Sequence, residues 1–308
     1  MNQEFHMLDE LDAINWSHYF HAYGAAADIP ELIRALTSPD DEVRRRACYD
    51  LTNNLAHQGT RWEASHFAVP FLCELVKDTS TPDRSSVMTC MFRITLGDNW
   101  LDDSTLPYPS RRFDPVQSMI AAEYHHITAT MYDTEDKQLG DNAAMLDKLA
   151  LIWERDAYIA MSNYAHELLT LGMDNDPAVA RYAISSIPWF PDIHRDALPV
   201  LIRLLSTHPS IETRSTAALT AGLLHVPDHD LIETIVQNTL DSAQPHLFQL
   251  AGAVALAFLK GADVESRVLD ILVDAEDWRE EMNAVGDGIP YLRALMGFRT
   301  TALSRLGF

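Results

Sequence analysis

One short pattern recurs along this chain and constrains its fold more than any other feature. Three segments align without gaps, "DIPELIRALTSPDDEVRRRACYDL", "FAVPFLCELVKD" and "DALPVLIRLLST". In each, a proline near the start is followed by Leu or Ile at helical spacing. A proline in the first turn of a helix loses no hydrogen bond, because that N–H has no partner there in any case. The pattern therefore predicts helix starts at Pro30, Pro70 and Pro199.

A second pattern is shared by "SPDDEVRRRA", "DNDPAVARYA" and "HPSIETRSTA". Its Asp, Asn, Ser and Pro residues are typical of turns and helix N-caps. Four residues after a marker residue comes an alanine, which is small enough to let two helices approach closely. The marker and alanine pairs are Val43 with Ala47, Val179 with Ala183, and Thr213 with Ala217.

Together the two patterns predict an all-α chain of antiparallel helix pairs. Strand signals are nearly absent, since no period-two alternation is sustained and no Asn-Gly or Asp-Gly hairpin lies between apolar runs. A pair of about 30–40 residues cannot bury its own apolar face, so neighbouring pairs must stack and leave extended surfaces that suit another macromolecule. The pairs are predicted at 28–57, 60–97, 143–188, 194–225, 228–260 and 263–306, after an N-terminal helix from about 8 to 23.

The repeated unit resembles a HEAT repeat, through Pro30, Leu32, Leu36, Ser38, Asp40, Val43, Arg44 and Ala47. In degraded form the resemblance extends over nearly the whole chain. It implies an armadillo-like α/α superhelix, a single solenoid domain over 1–308 with about six helix pairs. The Arg that follows the marker at Arg44 and Arg214 is replaced by Ala180, so we expect the ladder of arginines and aspartates to break in mid-chain.

Residues 98–142 do not fit the alternation and form an insertion between the second and third pairs. Inserted segments this long are usually functional or disordered, and this one is too aromatic for plain disorder. A helix is predicted at about 114–133. The insertion is interpreted either as a partner-binding surface or as a cover over part of the solenoid. The candidate partner-binding residues are Trp100, Asp102, Asp103, Tyr108, Arg111, Arg112, His125 and His126.

Charge decides which partners are plausible. The chain has 45 acidic and 23 basic side chains, a net charge of −22, which opposes nucleic-acid binding and favours a basic protein. The densest acidic run, "DILVDAEDWREEMNAVGDG" at 270–288, is either a solvated helix face or a docking surface. No window approaches the roughly 18 apolar residues of a membrane span, and the N-terminus is acidic where a secretory signal is basic. We therefore expect a cytoplasmic protein that binds no membrane.

The sequence contains few motifs that are typical of catalysis. The sequence has no H-E-x-x-H, C-x-x-C or G-x-S-x-G spacing and no Gly-rich phosphate loop. The His-Glu pairs of HEAT-type di-iron enzymes recur along their chains, whereas here the dipeptide occurs once, at His166-Glu167. Cys48, Cys73 and Cys90 are expected to be buried free thiols. We predict no enzyme activity, no cofactor and no metal.

The stretch "HQGTRWEASHFAVPFL" at 57–72 crowds histidines and a glutamate into a short polar interval. Gly59 stands where a helix end needs a left-handed residue. Thr60 and Glu63 have the T-x-x-E spacing of a capping box, in which the glutamate reaches back to the N–H of residue 60. The stretch is therefore interpreted as a joint between two repeats.

The favoured function is a protein-binding solenoid. Similarity of "HQGTRWEASHFAVPFLCEL" and "NDPAVARYA" to bacterial HEAT-repeat proteins implies an immunity protein that neutralises a basic toxin, or a scaffold. The alternative is a HEAT enzyme resembling the bilin lyases, or a small-molecule-binding subunit, with Asp102 or Asp103 near the substrate. The identity of the partner and the oligomeric state are left open.

Overall fold

The computed structural model describes residues 6–98, 110–133, 139–284 and 290–308. As predicted, this part of the chain is mostly helical, and its two strands have two residues each. It forms two compact units, one from the described residues up to 164 and one from residue 165 onward. No helix among the described residues is long and apolar enough to cross a membrane.

The N-terminal region of the first unit is not the continuous helix predicted at 8–23. It consists of α1 (His6–Asp9), 3-10 turns at Glu10–Ala13 and Trp16–His18, and an antiparallel pair of two-residue strands, β1 (Phe20–His21) and β2 (Gly24–Ala25). The hydrogen bonds of this region do not follow the i to i−4 pattern of a helix. The Phe20 N–H donates to the Glu63 carboxylate at 3.2 Å, and the Trp16 indole donates to the Leu11 carbonyl at 2.8 Å.

The first two predicted pairs are confirmed as packed neighbours. Helix α2 packs on α3, α4 packs on α5, and α5 also contacts α3. The Asp40 carboxylate caps α3 by accepting the Glu42 N–H at 2.8 Å, as the turn chemistry predicts. The helices of this unit are α2 (Ile29–Ala35), α3 (Asp41–Leu55), α4 (Ser65–Lys77), α5 (Arg84–Leu96), α6 (His125–Asp133) and α7 (Leu139–Ser162), with 3-10 turns at His57–Gly59, Ser110–Val116 and Ala121–Tyr124.

The second unit contains nine described α-helices and 3-10 turns at Ile187–Trp189, Pro191–Ile193 and Gly261–Asp263. The predicted pairs 194–225 and 228–260 are confirmed, as α10 packed on α11 and α12 packed on α13. The pair predicted at 143–188 is wrong in detail, because that range holds α7, α8 and α9. The helices are α8 (Ala165–Leu171), α9 (Pro177–Ser186), α10 (His194–Thr207), α11 (Ile211–Leu223), α12 (His229–Thr239), α13 (His246–Lys260), α14 (Ser266–Asp274), α15 (Arg279–Ala284) and α16 (Leu292–Arg305).

The repeated prolines do not all begin helices. Pro30 is the second residue of α2, as predicted, but Pro70 and Pro199 lie inside α4 and α10. Each of these two helices begins five residues before its proline, at Ser65 and at His194. A proline in the second turn removes one backbone hydrogen bond, a local cost that packing of the apolar face outweighs.

Small residues bring α11 and α13 into close contact. A Cβ added to Gly222 would lie 2.6 Å from the Cα of Ala255, so the two backbones are too close to leave room for a side chain at residue 222. Ala217 on α11 is buried, and so are its counterparts Ala47 and Ala183, as the repeat predicts. Val43 departs from the pattern, since it is 42% exposed where Val179 is buried.

Candidate functional site

The structure describes three of the candidate partner-binding residues with their side chains. These are Arg112, His125 and His126. Trp100, Asp102, Asp103 and Tyr108 lie outside the described residues. For Arg111 the structure describes the backbone and not the side chain. The predicted helix at 114–133 is confirmed in its second half, as α6, while its first half consists of 3-10 turns.

Arg112 is held by a buried carboxylate. Its guanidinium donates to both oxygens of Glu154 on α7, from Nε to Oε1 at 2.7 Å and from Nη2 to Oε2 at 2.8 Å. The same carboxylate lies 3.2 Å from Nη2 of Arg61, which is also buried and donates from Nη1 to the Gly59 carbonyl at 2.9 Å. One ionic network therefore links three parts of the chain: Arg112 in the insertion, Glu154 on α7 and Arg61 in the joint between α3 and α4.

His125 is turned inward by Glu63. The two side chains meet at 2.9 Å between Nδ1 and Oε1, and the Phe20 N–H donates to the second oxygen at 3.2 Å. Glu63 is 2% exposed. Burial raises the pKa of its carboxyl, while His125 and the Phe20 N–H act in the opposite direction. The pair links the insertion to the joint.

The capping box predicted at Thr60 and Glu63 is wrong. The Thr60 N–H donates to the His57 carbonyl at 3.0 Å, and α4 begins only at Ser65, whose hydroxyl accepts the Trp62 N–H at 2.8 Å. Gly59 does adopt the left-handed conformation predicted for the joint, with φ of +82°. The T-x-x-E spacing failed as a signal because Glu63 finds partners that are distant in sequence.

Aromatic rings cover the same region. The His125 ring stacks on His18 with centroids 4.1 Å apart, and the Tyr132 ring stacks on Phe20 at 4.9 Å. The Tyr132 hydroxyl also donates to the His21 carbonyl at 2.6 Å. Residues 110–133 therefore pack as a cover over the N-terminal hairpin and the joint. Of the residues in the binding interpretation, Trp100, Asp102, Asp103 and Tyr108 lie outside the described part.

The two adjacent histidines of α6 point in different directions. His126 is exposed while His125 is half-buried, as expected for neighbours that are about 100° apart on a helix. In the part of the chain that the structure describes, no group of three or more His, Cys, Asp or Glu side chains is arranged to hold a metal ion. The Glu63–His125 pair joins α6 to the joint.

A different surface, in the second unit, concentrates negative charge. The segment from residue 263 to residue 281 contains eight acidic residues and two arginines, and all eight acidic residues are exposed. Glu276 pairs with Arg279 and Arg299, and Glu281 pairs with His246. The other six have no ion-pair partner among the described residues: Asp263, Glu265, Asp270, Asp274, Asp277 and Glu280. We call residues 263–281 the acidic face.

Apolar side chains lie within the acidic face. Val273 is 53% exposed between Asp270 and Asp274, which are one turn apart on the same side of α14. Trp278 is half-buried, and its ring stacks on His246 with centroids 4.1 Å apart and planes 5° from parallel. Its position is therefore fixed by α13. An exposed aliphatic residue and a fixed aromatic ring surrounded by carboxylates are arranged as a docking surface would be.

The chain matches no protein-family model, and no curated protein is similar to it.

Proposed function

We propose that this chain is a non-enzymatic binding protein that docks a basic protein partner on its acidic face. The observation that carries the proposal is the run of six exposed carboxylates from Asp263 to Glu280 that have no ion-pair partner among the described residues, in the same segment as Val273 and Trp278. Asp270 and Asp274 are one turn apart on α14 and repel each other, and a cationic partner would relieve that repulsion.

The charge and the apolar residues have separate roles in this proposal. The carboxylates attract a basic protein over a distance and raise the rate of association, an effect that salt weakens. Val273 and Trp278 supply the contact that excludes water once the partner has docked. Such central aromatic and aliphatic contacts usually carry most of the binding free energy.

We further propose that the helix pairs stack as HEAT-like repeats. Within the second unit, the packing of α10 on α11, of α12 on α13 and of α11 on α13 supports this arrangement. The resemblance of the repeat to those of bacterial immunity proteins supports neutralisation of a basic toxin ahead of a scaffold role. A nuclease is a suitable target, because a protein that binds nucleic acid carries a basic surface.

The test compares two variants that neutralise four carboxylates each. The acidic-face variant carries Asp270→Asn, Asp274→Asn, Asp277→Asn and Glu280→Gln. The matched control changes four exposed carboxylates of the first unit, Glu10→Gln, Glu31→Gln, Asp114→Asn and Glu123→Gln. Both variants and the unaltered chain are used as bait in lysate of the native host, and any captured protein is identified by mass spectrometry, purified and titrated calorimetrically.

The proposal predicts a basic partner whose Kd rises about tenfold or more with the acidic-face variant and changes little with the control. Trp278→Ala should raise the Kd at every salt concentration, whereas the effect of the carboxylates should fade as salt rises. Equal binding by the two charge variants would contradict the acidic face as the docking site. Turnover of a metabolite by the purified chain at enzyme-like rates would contradict the non-enzymatic function.

A further inference from the structure

Two of the three cysteines lie side by side where α3 packs against α5. The Cys90 thiol donates to the carbonyl oxygen of Cys48, 42 positions earlier, with its Sγ atom 3.7 Å from that oxygen. The Thr52 hydroxyl, one helical turn after Cys48, also donates to the Cys90 Sγ at 3.4 Å. Helices α3 and α5 thus bring Cys48 and Cys90 into contact from separate helix pairs.

The surroundings of the three cysteines differ. Cys90 is 2% exposed, whereas Cys48 is partly exposed, so a small oxidant reaches the pair from the Cys48 side. Cys73 is buried and contacts thioethers, with its Sγ 3.4 Å from the Met91 sulfur and 4.0 Å from that of Met161. Cys73 therefore serves as an internal control in the same molecule.

We propose that Cys48 and Cys90 are a redox-modification site, at which hydrogen peroxide converts the two thiols into a reversible intramolecular disulfide between α3 and α5. The proposal rests on the contact of the Cys90 thiol with Cys48 where α3 packs on α5, and it is independent of the proposed binding function. It assigns the pair a chemistry that the spacing of the cysteines in the sequence does not reveal.

The hydrogen bonds separate the acidities of the two thiols. Donation from Cys48, and then from Thr52, lowers the pKa of Cys90, while the pKa of Cys48 is raised because its proton is held by Cys90 and its sulfur is largely buried. The thiolate is therefore favoured on Cys90, and the second proton stays on Cys48.

The reaction balances in two steps. The Cys90 thiolate attacks one oxygen of a peroxide that enters from the Cys48 side, an S–O bond forms, the O–O bond breaks, and the departing hydroxide takes up the proton that the pair released. The sulfur of Cys48 then attacks the sulfenic sulfur of Cys90, the S–S bond forms, and the hydroxide leaves as water with the Cys48 proton. Both sulfurs are oxidised, both peroxide oxygens are reduced, and two waters are produced.

The experiment uses the full chain, reduced and then treated with hydrogen peroxide. Remaining thiols are alkylated under denaturing conditions, and the intact mass and the peptide map are measured. We expect the alkylated thiols to fall from three to one, the survivor to be Cys73, and a Cys48–Cys90 cross-linked peptide that dithiothreitol releases. The rate should rise with pH, since thiolate is the nucleophile.

Variants separate the pair from nonspecific oxidation. Cys73→Ser should form the disulfide like the unaltered chain, whereas Cys48→Ser and Cys90→Ser should each keep two alkylatable thiols. Thr52→Val removes a donor to Cys90 and should slow formation of the cross-link several-fold without preventing it. Oxidised protein should also melt at a higher temperature than reduced protein, because the cross-link restricts the unfolded chain.

Three results would overturn the proposal. Three thiols that still alkylate after peroxide treatment would show that the sulfurs do not react. A sulfinic acid at Cys90 without a cross-linked peptide would show that Cys48 does not reach it, and a disulfide between two copies would place the reaction elsewhere. Each outcome is read from the unaltered chain by mass spectrometry, so the test does not depend on whether a variant folds.

Discussion

The Nδ1 atom of His125 lies 2.9 Å from the Oε1 atom of Glu63, which stands 62 positions earlier in the chain. The contact joins α6 of the insertion to the joint between α3 and α4. Since Glu63 is buried, its partners within the protein replace the water that it would otherwise bind. The insertion is thus held in place by a group that the sequence alone presents as a helix cap.

Truncation of Glu63 should weaken the fold. Glu63→Ala leaves the Phe20 N–H and the His125 ring without an acceptor, and we expect the free energy of unfolding to fall by about 2–3 kcal/mol. Glu63→Gln keeps one acceptor oxygen in the same place and should cost less. Urea denaturation at neutral pH measures both, and equal losses in the two variants would contradict the assignment.

The contribution of Glu63 to the free energy of unfolding should depend on pH in a defined direction. Burial raises the pKa of Glu63 above its ordinary 4.5, so the folded state favours the protonated carboxyl. The stabilisation is complete below the ordinary value and is lost as the pH rises through the raised one. The unfolding free energy of the unaltered chain minus that of Glu63→Gln should therefore decrease between about pH 4 and pH 7. An increase over that interval would contradict the predicted direction.

The members of the ionic network around Glu154 should contribute unequally to the stability of the fold. Glu154→Ala leaves the buried Arg61 without its carboxylate, and we expect a loss of about 3–5 kcal/mol in unfolding free energy. Arg112→Ala should cost about 1 kcal/mol, because this side chain is 48% exposed and its removal leaves Glu154 paired with Arg61. Chemical denaturation of both variants checks the order, and a larger loss for Arg112→Ala would contradict it.

Close packing in the second unit predicts opposite effects for two helical glycines. A Cβ at Gly252 would lie 2.3 Å from the Cβ of the buried Thr239, so Gly252→Ala should destabilise the protein by about 2 kcal/mol or more. Among the described residues, no atom outside the backbone of α16 and the two chain neighbours lies within 4 Å of a Cβ at Gly297, and Gly297→Ala should stabilise by about 0.5–1 kcal/mol through helix propensity. Thermal melts measure both changes. A neutral Gly252→Ala would show that α12 and α13 are not packed this closely.

Features that depend on a few neighbouring residues were predictable from the sequence. The caps at Asp40 and Asp176, the left-handed Gly59 and the burial of Ala183 all follow from local spacing, and the structure confirms them. The predicted helix at 8–23 failed for the opposite reason. Its backbone groups are bonded to partners such as Glu63, whose position depends on the packing of α4.

The sequence by itself determined the all-α class, the caps at Asp40 and Asp176 and the excess of negative charge, because periodicity, capping and composition act within a turn or two of the chain. The tertiary structure alone decided which residues meet: Glu63 with His125, Glu154 with Arg61, and Cys48 with Cys90. These partners stand on separate helices, so their contact depends on how the helices pack. Packing is decided by the fit of whole apolar faces, and no short motif records it.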